Sequence, residues 1–118
     1  MPASKEGKAA LLRSYVEAHN EGVRTHDFSS LASLLHPDAE MHFERQDVGP
    51  FIGRDAVLRA FREHGPGAEL HALDAKAAED AVEALYGWVG AAATVSGVLR
   101  IGVLDGKIRR IEVRAFMQ

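Results

Sequence analysis

The chain has 118 residues, 47% hydrophobic and 26% charged, with 14 Lys and Arg against 17 Asp and Glu for a formal charge of −3. That length predicts one domain, residues 1–118 with 1–4 as a loose tail, and the charge balance gives no electrostatic case for nucleic acid or an anionic membrane as partner. There is no cysteine, which excludes disulfides, thiolate catalysis and Cys-based zinc sites.

The first eight residues have no apolar segment of the secretory type. The most apolar stretch, Ala91 to Leu104, is too short to span a bilayer and carries Arg100. The expectation is a cytoplasmic protein.

From Lys5 to about Val23, the residues Leu12, Tyr15, Val16, His19 and Val23 recur at helical spacing and mark one buried face. Asp27 can cap a second, short helix that turns Phe28, Leu31, Ala32 and Leu35 inward. His36-Pro37 is expected to end it, because the residue before a proline is pushed out of the α region. Ala39 to Arg45 then alternates, with Ala39, Met41 and Phe43 on one face and Glu40, His42 and Glu44 on the other, as a half-buried strand does. A turn follows at Gly49-Pro50. Gly53 is placed as the N-cap of a third helix, with Asp55 in its first turn, where a carboxylate suits the helix dipole. That helix carries Val57, Ala60, Phe61 and His64 at helical spacing and stops at Gly65-Pro66.

The remainder reads as strands. They run over Glu69 to Ala77, over Val82 to Trp88, from about Thr94 to Leu104, and from Lys107 to about Phe116. Asp105-Gly106 between the last two is a strong two-residue hairpin signal. Helix, helix, strand, helix and then a run of antiparallel strands is an α+β arrangement. A sheet curling over helices leaves a cavity at its open end.

The segments Tyr15–Gly22, Leu34–Ala39, Gly49–Ala56 and Asp105–Ile108, in this order and spacing, resemble the nuclear-transport-factor-two-like superfamily, in its SnoaL-like and ketosteroid-isomerase-like branch. The resemblance covers about residues 8 to 116. It implies a cone-shaped, curved, mostly antiparallel sheet wrapped around three helices of the N-terminal half. It also implies a small-molecule pocket with no cofactor. The family's isomerases use a tyrosine on the first helix, an Asp base on the first strand and a neutral Asp on a late strand. Tyr15 matches the first. The base position falls on Phe43 counted forward from Asp38-Ala39, or on Glu44 counted back from Gly53. Arg100 stands at the third, so steroid isomerisation by that mechanism is not expected.

Tyr15 and His19 lie one turn apart and share a face. A phenol and an imidazole together can donate to a carbonyl or move a proton, and they are the candidate catalytic pair. Phe43, Phe61, Tyr86, Trp88 and Arg100 complete the candidate ligand-binding set. Tyr86 and Trp88 either clamp a flat ligand or pack as ordinary core. Arg100 either points inward, where it would bind a carboxylate or oxyanion, or joins Arg109, Glu112 and Arg114 on an outer polar face. The six histidines show no HxxxH or HExxH spacing, and no metal is expected. Ser96 lacks the context of a hydrolase nucleophile. Val89, Leu85 and Phe116 fall opposite the expected core and predict a homodimer. Two functions fit: a cofactor-independent isomerase, cyclase or hydrolase-like enzyme acting on a small apolar carbonyl or hydroxyl compound, or a non-catalytic binding or dimerising module.

Overall fold

In a computed structural model, which describes residues 5–44, 47–63, 65–90 and 95–116, the elements follow in the order α1 (Lys5–Thr25), α2 (Ser29–Ala32), β1 (Leu35–Glu44), β2 (Phe51–Ile52), α3 (Arg54–Glu63), β3 (Leu70–Ala77), β4 (Ala81–Trp88), β5 (Gly97–Leu104) and β6 (Lys107–Ala115). The six strands form one curved, unclosed sheet in the order β2-β1-β6-β5-β4-β3. Four of its five pairings are antiparallel, and β1 with β6 is parallel. The α+β class and the mostly antiparallel sheet agree with the sequence. The parallel pairing carries no local signal, because nothing near either strand marks a partner some 70 positions away.

The helices cover the concave face. Helix α1 lies along β3 and β4, α3 lies along β1 and β2, and α2 bridges the two helices. The core between them includes Leu12, Tyr15, Leu31, Leu35, Val57, Ile101, Ile108 and Ile111. Among the described residues no helix is long and apolar enough to cross a membrane.

Several expected boundaries move. The N-cap of α2 is Phe28 and not Asp27, which stands one residue earlier with its carboxylate accepting from the Ser29 N–H at 2.9 Å. The helix ends at Ala32, and Leu35, His36 and Pro37 belong to β1. Proline is tolerated there because the register between β1 and β6 shifts between Leu35 and Glu40, so no ladder bond needs its missing N–H. The alternation of β1 holds, with Ala39 and Met41 buried. The short strand β2 has no signature in sequence; Phe51 pairs with Met41 and Ile52 with Glu40. Gly53 has φ +95°. Its N–H donates to the Ala39 carbonyl at 2.8 Å and its own carbonyl accepts from Val57 at 3.0 Å, so it joins the turn to the first helical bond of α3. His64 and Thr94 lie outside the described residues. At the β5–β6 hairpin Asp105 and Gly106 both have positive φ, 54° and 75°, as a type I′ turn requires.

Side chains fasten α1 to the β3–β4 hairpin at both ends. Near its start the buried Lys8 ammonium donates to the carbonyls of Ala78 and Glu79 in the turn. Toward its end Asn20 makes a two-way pair with Leu70, donating to its carbonyl at 2.9 Å and accepting from its N–H at 2.8 Å. Arg24 meets Glu69 at 2.6 Å one turn later.

At Gly22 a Cβ would lie 2.1 Å from the Phe28 ring, which in turn packs on Phe61 with centroids 5.2 Å apart. Alanine favours a helix interior by about 1 kcal/mol over glycine, yet overpacking a core costs typically 1–3 kcal/mol. Gly22→Ala is therefore expected to lower the urea midpoint. A midpoint raised above wild type would show that the Phe28 contact does not constrain α1.

Candidate functional site

A cavity of about 450 Å³ opens between the concave face and the helices. Tyr15 and His19 from α1, Phe43 from β1, Phe61 from α3, and Tyr86 and Trp88 from β4 all line it. The helical stripe and the strand alternations converge on one space. Phe43 and Phe51 meet edge to face at 6.4 Å, and Tyr86 and Trp88 do so at 5.6 Å. The His19 ring sits among Tyr15, Phe61 and Trp88, with centroids 6.4, 6.2 and 6.0 Å away. The perpendicular pairs, Phe43 with Phe51 and Tyr86 with Trp88, wall the space with apolar faces.

Arg100 does not belong to this set. Its neighbours Leu99 and Ile101 take the buried positions on β5, so Arg100 points to the convex face. There it lies 3.8 Å from Asp80 and 3.7 Å from Glu83. The two candidates for the family's base position also separate. Phe43 lines the cavity, whereas Glu44 is on the other face, bonded to Arg114. Phe116, expected opposite the core, instead lines the cavity with Val48 and Pro66, and both Val48 and Phe116 remain over 40% exposed. Of the other residues named for an outer apolar face, Val89 is exposed just past β4. Leu85 stands in register between Leu73 and Val98.

Ser96, set aside in the sequence as a nucleophile and not read as a cavity residue, is the one hydroxyl besides the tyrosines among the described lining residues. It lies beside the cavity because its N–H donates to the Tyr86 carbonyl at 2.7 Å and its carbonyl accepts from Phe116 at 2.9 Å. Gly97, next to it, also went unread. A Cβ there would fall 2.2 Å from the Arg114 carbonyl and 2.8 Å from the Tyr86 ring, so only glycine lets β5 approach β6 while leaving Tyr86 in place.

The polar groups are buried but uncharged. His19 is 3% exposed. Its Nε2 is 3.2 Å from the Ala68 carbonyl, and a carbonyl can only accept, so Nε2 carries the proton. Nδ1 is buried with no partner among the described residues. A buried acceptor left in that state costs about 1–3 kcal/mol. Burial holds the imidazole below its ordinary range, against the opposing effects of the Ala68 bond and the Glu69 charge. Burial pushes the Tyr15 phenol far up, with a smaller push from Tyr86, and burial also raises Tyr86. A neutral imidazole therefore shares the cavity wall with two tyrosines that stay protonated. No lining residue among those described is a carboxylate or a Lys or Arg cation, and no group of three or more His, Cys, Asp or Glu side chains among them could hold a metal ion.

A family model described as SnoaL-like domain matches residues 16–111. No curated protein matches the chain. Among solved structures, a Kribbella flavida protein provisionally named a ketosteroid isomerase shares 20% identity at a TM-score of 0.76, over 98% of this chain and 82% of that one. A SnoaL-like protein of unknown function from Burkholderia thailandensis shares 16% identity at 0.76, over 99% and 100%. A Sinorhizobium meliloti protein provisionally named a polyketide cyclase shares 20% identity at 0.66, over 88% and 93%. At such identities the likeness is one of fold.

The state of His19 sets a pH dependence of stability. Its folded pKa is lowered, so the unfolded chain takes up the proton first as pH falls. Its contribution is complete above about pH 6.5 and lost as pH drops toward the folded value. Asp27, held low by its bond to Ser29, and Glu40, held low by its bond to His42, act only in the lower window where carboxylates titrate. The urea midpoint is expected to fall between about pH 7 and about pH 5.5. His19→Gln, which keeps a donor for Ala68 but cannot titrate, should flatten that fall. Equal slopes in the two proteins would remove His19 as the cause.

Proposed function

Because the chain belongs to the SnoaL-like domain family, we propose that it binds a small, flat, mainly apolar molecule carrying a carbonyl or hydroxyl in the concave cavity. The observation that carries this reading is the composition of the wall. Phe43, Phe51, Phe61, Tyr86 and Trp88 supply ring faces, and Tyr15, Tyr86, Ser96 and His19 are the few polar groups among them. That is the pattern of a site that holds a ligand by apolar contact and orients it by a few hydrogen bonds. Tyr15 would donate to the ligand oxygen and His19 would accept a proton. Such a pair can serve isomerisation, cyclisation or hydration without a cofactor. The isomerase and cyclase names of two fold neighbours agree with that chemistry.

Binding without turnover is the second reading. It is favoured by the lack of a carboxylate among the described lining residues and by the closure of His19 Nδ1 from solvent. Tyr15→Phe separates the two, since it removes one donor and almost no volume. With a panel of small carbonyl and hydroxyl compounds, an enzyme should lose about a hundredfold in turnover with its melting temperature kept. A binder should change affinity only a few-fold. Full turnover by the Phe variant would take Tyr15 out of the chemistry.

A homodimer through the convex face is part of the same proposal. Leu73, Leu85 and Val98 stand side by side across β3, β4 and β5 on that face, with Leu73 over a third exposed. Sedimentation at roughly tens of micromolar should show a dimer that Leu85→Glu dissociates. A wild-type chain that stays monomeric there would end this part of the proposal.

A further inference from the structure

The sheet sorts its charges by face. Every arginine of β5 and β6 leans away from the cavity toward a carboxylate. Arg100 lies near Asp80 and Glu83, and Arg109 lies 3.3 Å from Glu40. Arg110 lies 2.8 Å from Glu112, and Arg114 binds Glu44. The alternate positions, Leu99, Ile101, Ile111 and Val113, are apolar and belong to the core or pack against it. The one cation that the sequence offered to an anionic ligand, Arg100, is thus on the wrong side of the sheet.

The groups that remain inside cannot replace it. The Nε2–H of His19 is committed to the Ala68 carbonyl, and among the described residues Nδ1 has no acceptor to which a second proton could be donated. An imidazolium would place that N–H⁺ among aromatic rings. The charged group acting on His19 is the Glu69 carboxylate, already bound to Arg24 at 2.6 Å. Tyr15, Tyr86 and Ser96 present hydroxyls, which can give or take a hydrogen bond but carry no charge.

We infer that the cavity takes its ligand uncharged: a phenol or enol is held as its O–H form, and a carboxylate of the same shape is turned away. The inference rests on the cavity-binding reading above and narrows its ligand class. An anion entering this space would exchange water for apolar faces and neutral hydroxyls, with no counter-charge among the described residues to offset the lost hydration. A neutral O–H loses far less and can pair with the same hydroxyls. Binding therefore shifts an ionisable ligand toward its protonated form, in the direction that burial shifts Tyr15 and Tyr86.

Three planar bicyclic probes test it: umbelliferone, its methyl ether, and coumarin carboxylate. Umbelliferone ionises a little above neutrality, and its phenol and phenolate absorb at different wavelengths. Quenching of Trp88, the chain's single tryptophan and part of the cavity wall, reports entry. Umbelliferone and its ether should bind comparably at about pH 6.5, and the carboxylate at least about tenfold more weakly. At about pH 8, adding protein should convert the phenolate band of umbelliferone to the phenol band. A carboxylate that binds as tightly as the ether, or a phenolate band that grows, overturns the inference and leaves the cavity a binding site. If none of the three quenches Trp88 up to roughly millimolar concentration, the cavity-binding reading fails and takes the inference with it.

Discussion

The two-way hydrogen bond between the Asn20 amide and the Leu70 backbone is the contact on which the site geometry turns. An amide side chain presents a donor and an acceptor spaced like those of a peptide group, so Asn20 meets edge strand β3 much as a neighbouring strand would. The pairing leaves little freedom in how α1 sits on the sheet. His19 precedes Asn20 and reaches the Ala68 carbonyl just before β3. Lys8 holds the other end of the helix against the β3–β4 turn. With α1 held at both ends to one side of the sheet and α3 packed on the other, the two helices enclose the cavity against the concave strands.

The same arrangement accounts for the chemistry of the space. Strand alternation assigns each residue to one face, and on β5 and β6 the charged residues share the face that carries Glu44 and Glu83. Ion pairs between such half-exposed groups contribute little to stability each. Their larger consequence is that, among the described residues, no formal charge is left for the cavity side. The polar atoms that do enter arrive on α1, on β4 as the Tyr86 hydroxyl, and on the stretch before β5, and backbone contacts hold two of these residues: Ala68 for His19, and Tyr86 with Phe116 for Ser96.

What could be read from the sequence was what depends on periodicity. The stripe through Leu12, Tyr15, Val16 and His19 and the alternation of Tyr86 with Trp88 place their side chains without knowledge of any partner, and these residues meet at the cavity. Asp105-Gly106 specifies its turn through backbone conformation alone. What could not be read depends on the partner. Alternation set Phe43 and Glu44 on opposite faces, but whether the strand keeps that alternation to its end depends on β6, where Phe43 pairs with Val113 and Glu44 with Arg114 without a shift. Asn20 looks like one more polar helix residue until β3 arrives beside it. Pro37 read as a helix stop because its tolerance in a strand comes from a register shift that belongs to the pairing rather than to the chain. Arg100 was decidable in principle, since Leu99 and Ile101 flank it at the apolar positions of an alternating strand, whereas Val98 on its own face blurred the pattern.

Strand β6, Lys107–Ala115, comes late in the chain and yet lies inside the sheet, between β1 and β5. During synthesis β1 emerges early but its parallel partner is made some 70 residues later, so the β2–β1–α3 portion and the β3–β4–β5 meander must wait as separate pieces, each with an open edge. Closing so distant a pair is slow compared with forming a hairpin, because the loop entropy is lost before any contact offsets it. Removing β6 would therefore not fray a margin of the protein. It would cut the sheet in two through its middle and expose the core to solvent on both sides of the break.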